Sequence, residues 1–205
     1  MRLNRTAARS YTVALALSLT LGAYPSLALA SDKASTGAAA TASNPLANIR
    51  IDNFGRVNPN YYRGAQPKGR DFADLATAGV KMVIDLAEEG DPAEEANAKS
   101  AGMRFARIPM TTHESPGPVT IAHFLALVND PANQPVYVHC IGGKHRTGVM
   151  TAIYRIMGEG WTPLQAFNEM KQYKFGADIL HKEFKEFVLG FTATEALAPA
   201  ARDNK

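Results

Sequence analysis

The chain has 205 residues, of which 46% are apolar and 20% charged, so it is long enough for one domain with a sizeable hydrophobic core. Its formal charge is +3, but the first thirty residues contain three arginines and no acid, and the remainder has 22 − 3 = 19 basic against 19 acidic residues. This balance gives no overall basic field for nucleic acid or an anionic membrane surface, and we expect neither as a partner.

The N-terminal segment has the three parts of an export signal. Arginines at positions 2, 5 and 9 precede an apolar run over 11–23, and Ala28-Leu29-Ala30 has the pattern of a cleavage site. The apolar run is shorter than the roughly 20 residues that a membrane span needs. We therefore predict a signal peptide over 1–30, a flexible linker over 31–48, and a periplasmic or secreted protein with no stable membrane span after cleavage.

The rest of the chain alternates strands and helices, followed by a disordered tail predicted over 194–205. The predicted strands cover 49–57, 61–64, 80–86, 103–108 and 135–138, and the predicted helices cover 71–78, 92–101, 119–129, 146–157, 163–173 and 181–192. This alternation predicts an α/β domain over 49–193, with a central, mostly parallel sheet flanked by helices.

One stretch, residues 135–148, carries the chemistry. An apolar strand enters a glycine-bearing loop, and a helix begins near Arg146, so backbone N–H groups and the helix dipole form a cup for an oxyanion. Cys140 lies at the base of this cup, where the same field favours the thiolate over the thiol. Arg146 follows six residues later, where its planar fork can bind two phosphate oxygens. The only cysteine in the chain thus lies where a nucleophile is needed.

The pattern His139-Cys140-x5-Arg146-Thr147 resembles the signature of the cysteine-dependent protein tyrosine and dual-specificity phosphatases, most of all the atypical group of plants, fungi and their bacterial relatives. The resemblance covers about residues 49–190 and includes Asn53-Phe54-Gly55-x-Val57, Tyr62-Arg63-Gly64-x-Gln66-Pro67 and residues 129–135. It implies a dual-specificity-phosphatase-like fold, with the phosphate loop between a central strand and a helix. It also implies hydrolysis of phosphate monoesters through a phosphocysteine.

The resemblance also implies roles for individual residues. Cys140 is the nucleophile, and Arg146 binds the phosphate. Thr147 supports the departing thiolate, with helix N-capping as an alternative or simultaneous role. His139 orients the loop, with direct chemistry as the alternative. The residues expected to bind substrate are those of the loop itself: Ile141, Gly142, Gly143, Lys144, His145 and Arg146.

The general acid is less clearly marked. The family places an aspartate on a mobile loop about thirty residues before the cysteine, but the corresponding stretch, 109–117, contains none, and Thr112 stands at the expected position. Glu114 is our candidate, with His113 or no acid at all as the alternatives. Asp85, Glu88 and Glu89 follow a predicted strand and either line the site or begin a helix.

Several interpretations of the substrate stay open. The main hypothesis is a phosphatase of the phosphotyrosine or dual-specificity type, and the alternative substrate is an inositol polyphosphate or phosphoinositide. Lys144 and His145 favour the substrate with several phosphates unless they only form a solvated rim; Arg63 and Lys68 would extend that basic patch or serve structure. A phosphate-binding module with weak turnover is the alternative of another class, and a sulfur-transfer or arsenate-reducing enzyme is a third. We expect no cofactor and no metal, because the five histidines lack paired-ligand spacing.

Overall fold

A computed structural model of the chain describes residues 44–176 and 181–192. The predicted signal peptide, most of the predicted linker and the predicted tail lie outside these ranges. Five strands and six helices follow one another in the order β1 (Gly55–Asn58), β2 (Tyr61–Ala65), α1 (Asp71–Thr77), β3 (Met82–Ala87), α2 (Glu94–Ser100), β4 (Arg104–Met110), α3 (Pro118–Asn129), β5 (Val136–Cys140), α4 (His145–Glu159), α5 (Pro163–Gln172) and α6 (Lys182–Gly190).

The strands form one sheet in the order β1-β2-β5-β3-β4. Only β1 and β2 are antiparallel, and the pairs β2–β5, β5–β3 and β3–β4 are parallel. The predicted α/β fold with a mostly parallel sheet is therefore confirmed. Because β5 is the central strand, its carboxyl end opens where parallel sheets place their ligands.

Helices cover both faces of the sheet, and the side chains of β5 alternate between them. Val136, Val138 and Cys140 belong to the larger apolar cluster, to which α3, α4, α5 and α6 contribute. Tyr137 belongs to the second cluster, with residues of α1 and α2. Burial on two sides explains why β5 is fully buried over its whole length.

The predicted strand over 49–57 is wrong over residues 49–54, since β1 begins only at Gly55. Ile49 and Ile51 are buried as the prediction required, but the N–H of Phe54 donates to the carbonyl of Ile51 in a turn, and Asn53 has a φ of +56°. A left-handed residue interrupts an extended strand. The apolar pattern therefore identified buried residues that belong to no strand.

Helix ends follow their local signals. The predicted capping box at Thr162 and Gln165 is present at the start of α5. Helix α4 is longer than predicted, beginning at His145 and ending where Gly160 adopts a left-handed conformation.

Among the described helices, none has both the length and the apolar character needed to cross a membrane.

Candidate active site

The phosphate loop connects Cys140, the last residue of β5, to His145, the first residue of α4. Its tight path depends on Gly143, which has a φ of +64°. A Cβ atom at this position would lie 2.3 Å from the carbonyl carbon and oxygen of Gly64 on β2. Only glycine fits here, so the loop packs directly against the neighbouring strand.

Two carbonyl groups of the loop are held by the scaffold. The N–H of Gln66 donates to the Ile141 carbonyl at 3.2 Å. The Gly143 carbonyl accepts from Asn53 Nδ2 at 2.8 Å and from an Arg63 guanidinium nitrogen at 3.1 Å. In a trans peptide the following N–H points opposite to the carbonyl, so the N–H groups of Gly142 and Lys144 point away from these partners. Neither N–H has an acceptor among the described residues, as an oxyanion site requires.

Cys140 is buried, with 3% of its surface exposed, and Thr147 is fully buried. The Thr147 hydroxyl oxygen has no hydrogen-bond partner within the described part of the chain. Thr147 is the third residue of α4, and Lys144 occupies the N-cap position. The helix-capping alternative for Thr147 is therefore wrong. A buried hydroxyl without a partner costs free energy, and an anion in the cup would satisfy it.

Arg146 is held by two partners that leave one edge of its guanidinium available. Its two terminal nitrogens each donate to an oxygen of Glu89 at 2.6 Å, and one also donates to the Met110 carbonyl at 3.0 Å. Of the five N–H groups of an arginine, Nε–H and one on the second terminal nitrogen are used by neither Glu89 nor Met110, and the Arg146 side chain also interacts with Cys140. These two lie on one edge and match two phosphate oxygens.

Arg146 and Glu89 each stabilise the charged form of the other. Burial acts to lower the pKa of the Arg146 guanidinium, but its hydrogen bond to Glu89 and the nearby Cys140 act to raise it, and the net pKa lies above the usual value. The hydrogen bond from Arg146 lowers the pKa of Glu89 to about 2. Glu89 follows β3, the neighbour of β5, so the shared sheet edge is the sequence signal that could have paired it with Arg146.

His139 points to the opposite face of the sheet from Cys140, because successive strand residues alternate. It is completely buried, with Nε2 2.6 Å from a Glu94 oxygen and Nδ1 3.8 Å from an Asp85 oxygen. Arg107 donates to the other Asp85 oxygen at 2.8 Å. Asp85, Glu94 and His139 are close enough to hold a metal ion, but the Arg107 guanidinium already forms ion pairs with both carboxylates. The arrangement suits orientation of the β5 end rather than contact with substrate.

The other predicted substrate-binding residues lie at the rim. Ile141 and Lys144 are exposed, whereas Gly142 and His145 are half-buried. The His145 ring contacts the Phe175 carbonyl at 2.9 Å and lies against His181, tilted by 36° with 3.6 Å between ring centroids. Burial, followed by the charge of His181, lowers the pKa of His145 below its usual value. His145 is therefore neutral at neutral pH, and Lys144 supplies the positive charge at this rim.

The loop over 111–117 begins beside the site, since the Met110 carbonyl accepts from Arg146. Glu114 and His113 are both exposed, and their backbone N–H groups donate to the Thr111 hydroxyl. Glu114 borders a cavity of about 180 Å³ that Met110 also lines. Among the described residues, no hydrogen bond joins the Glu114 carboxylate to the phosphate loop, so its role as the acid stays a prediction.

A buried cysteine at the start of a loop with available amides, an oriented arginine and a mostly parallel α/β sheet together define the class of cysteine-based phosphatases. Residues 51–186 match the family model described as "DSP-PTPase phosphatase fused to NAD+ Kinase". The chain belongs to this family of dual-specificity-type protein tyrosine phosphatases.

Characterised relatives show the same likeness. The chain is 30% identical over 145 residues to the inositol diphosphatase SIW14 of Saccharomyces cerevisiae, covering 67% of this chain and 51% of the relative. It is 28% identical over 138 residues to the dual specificity protein phosphatase TpbA of Pseudomonas aeruginosa, covering 67% and 62%. The chain thus spans about half to three fifths of these relatives.

Solved structures agree with the fold. The catalytic domain of S. cerevisiae SIW14 in complex with citrate superposes with a TM-score of 0.62 at 26% identity, covering 72% of this chain and 90% of that one. The structure of P. aeruginosa TpbA gives a TM-score of 0.62 at 27% identity, covering 71% and 88%.

Proposed function

We propose that this protein is a cysteine-dependent phosphatase that hydrolyses phosphate monoesters through a phosphocysteine. The observation that carries the proposal is the joint placement of Cys140 at the base of the loop and of the free Arg146 edge beside it. Family membership supports the reaction class, and the loop amides supply the charge stabilisation that phosphoryl transfer needs.

The proposed reaction has two steps. The Cys140 thiolate attacks phosphorus, the P–O ester bond breaks, and the leaving oxygen takes a proton that Glu114 donates. A water then attacks phosphorus and gives a proton to the Glu114 carboxylate, the P–S bond breaks to release inorganic phosphate, and the Thr147 hydroxyl donates a hydrogen bond to the departing thiolate. Arg146 and the amides of residues 141–146 bind the equatorial oxygens in both steps.

Turnover of a small aryl phosphate by the purified protein tests this proposal. The wild type should release inorganic phosphate, vanadate should inhibit it, and a metal chelator should leave the rate unchanged, because the covalent route uses a protein nucleophile. Cys140→Ser should bind vanadate but show no turnover. An active Cys140→Ser variant would contradict the proposal.

For the substrate, phosphorylated proteins and inositol polyphosphates are the two candidates, since the relatives named above carry both kinds of activity in their names. The exposed Lys144 at the rim favours a substrate with additional phosphates. Initial rates on phosphotyrosine peptides and on inositol polyphosphates distinguish the two, using wild type and Lys144→Gln. A selective loss on inositol polyphosphates in Lys144→Gln supports that substrate class.

The candidate of another class is a binding module that captures phosphorylated ligands and turns them over weakly. The missing aspartate in the loop over 109–117 is the observation that favours it. This alternative predicts little turnover of an aryl phosphate and no effect of Glu114→Gln, together with saturable phosphate-ester binding.

We also propose that the protein is exported, on the strength of the N-terminal arginines, apolar run and Ala28-Leu29-Ala30 pattern. Expression of the full chain followed by cell fractionation and N-terminal sequencing tests this. A mature N-terminus at Ser31 in an extracytoplasmic fraction is expected, and an uncleaved chain in the cytoplasm would contradict it.

A further inference from the structure

Arg63 is a buried cation directly below the phosphate loop. It lies on β2, in parallel register with Val138 of β5, two residues before the nucleophile. None of its surface is exposed. One terminal nitrogen donates to the Gly143 carbonyl at 3.1 Å, and the guanidinium lies over the Tyr173 ring, 4.0 Å from its centroid. Its Nε and other terminal nitrogen have no hydrogen-bond partner among the described residues.

Within residues 44–176 and 181–192, no carboxylate forms an ion pair with Arg63. Glu169 is the acid whose charge acts on it most, but Arg155 binds Glu169 through Nε and a terminal nitrogen, the latter at 2.6 Å. Tyr61, also close by, is kept neutral because burial raises its pKa well above its usual value. Burial likewise lowers the pKa of Arg63. A buried, uncompensated charge is costly, so natural proteins keep one where it serves a purpose.

The other two groups whose ionised forms would act on Arg63 are Tyr173, whose ring lies against the guanidinium, and Cys140. Arg146, the other arginine of the site, already has the Glu89 carboxylate as a bidentate partner. A thiolate at Cys140, or a phosphate bound above it, would therefore supply the counter-charge that Arg63 lacks.

Arg63 also acts on the loop geometry. Together with Asn53 it fixes the Gly143 carbonyl from below, and the planar peptide then directs the Lys144 N–H towards the oxyanion side. The Asn53 amide also donates to the Tyr173 carbonyl at 2.9 Å, and the Arg63 guanidinium lies over the Tyr173 ring. Asn53, Arg63 and Tyr173 are therefore connected to one another where they hold the phosphate loop.

We propose that Arg63 is a positioning residue of this phosphatase: it aims the Gly143–Lys144 peptide at the phosphate, and its buried charge stabilises the anion at Cys140. This inference rests on the proposed function, because it takes Cys140 as the nucleophile. It adds a second arginine to the site, one that touches no substrate and acts through the loop and through its charge.

The test compares wild type with Arg63→Met, Arg63→Lys and the control Leu75→Ala. Leu75 is fully buried in the second apolar cluster, so its truncation lowers stability without touching the phosphate loop. Three quantities are measured for each folded variant: the midpoint of thermal unfolding, the rate of Cys140 alkylation by neutral iodoacetamide at mildly acidic pH, and the dissociation constant of vanadate.

Arg63→Met should slow alkylation about tenfold and weaken vanadate binding about tenfold, the size expected for one lost charge interaction. Arg63→Lys should recover most of the alkylation rate, because the charge stays, but less of the vanadate affinity, because the hydrogen bond to Gly143 is lost. Leu75→Ala should lower only the unfolding midpoint.

Wild-type alkylation and vanadate affinity in a folded Arg63→Met would overturn the inference. Should Arg63→Met fail to fold, Arg63→Lys decides alone: an alkylation rate as low as that of an ordinary buried thiol contradicts the charge role. A wild-type protein that neither binds vanadate nor turns over substrate refutes the proposed function instead. Failure of the inference and failure of the proposed function can be distinguished. The inference concerns the alkylation rate and vanadate affinity of the variant relative to wild type, whereas the proposed function concerns wild type alone.

Discussion

The phosphate loop and the loop over 111–117 lie at the same edge of the sheet but are held very differently. In the phosphate loop, the carbonyls of Ile141 and Gly143 and the side chain of Arg146 all have partners in other elements. The loop over 111–117 is held mainly by its own Thr111 hydroxyl and by a 3.5 Å contact from Ser115 to the Glu183 carbonyl.

This difference indicates which part of the active site is already ordered before substrate binds. Stabilising an oxyanion requires donors fixed in advance, because reorganising them during the reaction would cost part of their benefit. Donating a proton requires one carboxyl group to reach the leaving oxygen, and loops that close over a substrate can supply it late. We therefore expect substitutions in the phosphate loop to act on every substrate, and those in the loop over 111–117 to act selectively.

The largest effect after loss of the nucleophile is expected for Arg146→Lys. Lysine cannot present two parallel N–H groups, so the transition-state charge loses its bidentate partner. We expect kcat/KM to fall about 10²–10³-fold on aryl and alkyl phosphates alike. Steady-state kinetics on both substrates checks this, and a loss confined to alkyl phosphates would contradict the contrast between the loops.

Glu114→Gln should show the opposite pattern. If Glu114 donates the proton, kcat on an alkyl phosphate falls about 10²-fold, whereas a good aryl leaving group needs little help and its rate changes little. His113→Gln is the matched control from the same exposed loop. Equal rates for Glu114→Gln and wild type on alkyl phosphates would remove Glu114 from the mechanism.

Glu89→Gln tests how Arg146 is oriented, because Glu89 binds both terminal nitrogens of Arg146 and one of these also binds the Met110 carbonyl. Loss of the 2.6 Å ion pair should lower kcat/KM about tenfold on all phosphates, as expected for one charge-assisted hydrogen bond. Glu88→Gln, the exposed neighbour, is the control and should retain the wild-type rate.

The Arg146–Glu89 ion pair also predicts how kcat/KM depends on pH. The pKa of Glu89 is depressed from 4.5 to about 2, so its stabilising contribution is present above pH 4.5 and is lost only as the pH falls towards 2. The Arg146–Glu89 pair should therefore stay ionised through the assay range. Any acidic decline of kcat/KM at higher pH should persist in Glu89→Gln, which a pH–rate profile of both proteins measures.

The smallest effect is expected for His145. Because its pKa is lowered from 6.5, the unfolded state takes up the proton first, and stability should fall as the pH drops below 6.5. Thermal unfolding midpoints across this range should decline less steeply in His145→Gln than in wild type. Identical slopes would show that burial beside His181 does not govern the titration.

Much of this molecule could be predicted from its sequence, and the successes share a cause. The alternation of strands and helices, the position of β5 and the start of α4 follow from local patterns that tertiary contacts reinforce. The false strand at Ile49 and Ile51 shows the limit, since burial without pairing gives the same apolar signal as a strand.

The same limit of prediction from sequence applies to the active site. Cys140 and Arg146 are joined by a short spacing, so sequence alone could place them together. The bond of Arg146 to Glu89 and the support of Gly143 by Arg63 join residues 57 and 80 positions apart. Such contacts depend on strand order and register, which local sequence does not contain.

The most direct test of the central claim is to look for the phosphocysteine itself. An aryl phosphate is mixed with the protein, the reaction is stopped with acid during turnover, and the peptide containing Cys140 is analysed by mass spectrometry. We predict a mass increase of one phosphoryl group on Cys140 in wild type and none in Cys140→Ser. Steady turnover with an unmodified Cys140, or with the phosphoryl group on another residue, would contradict the account.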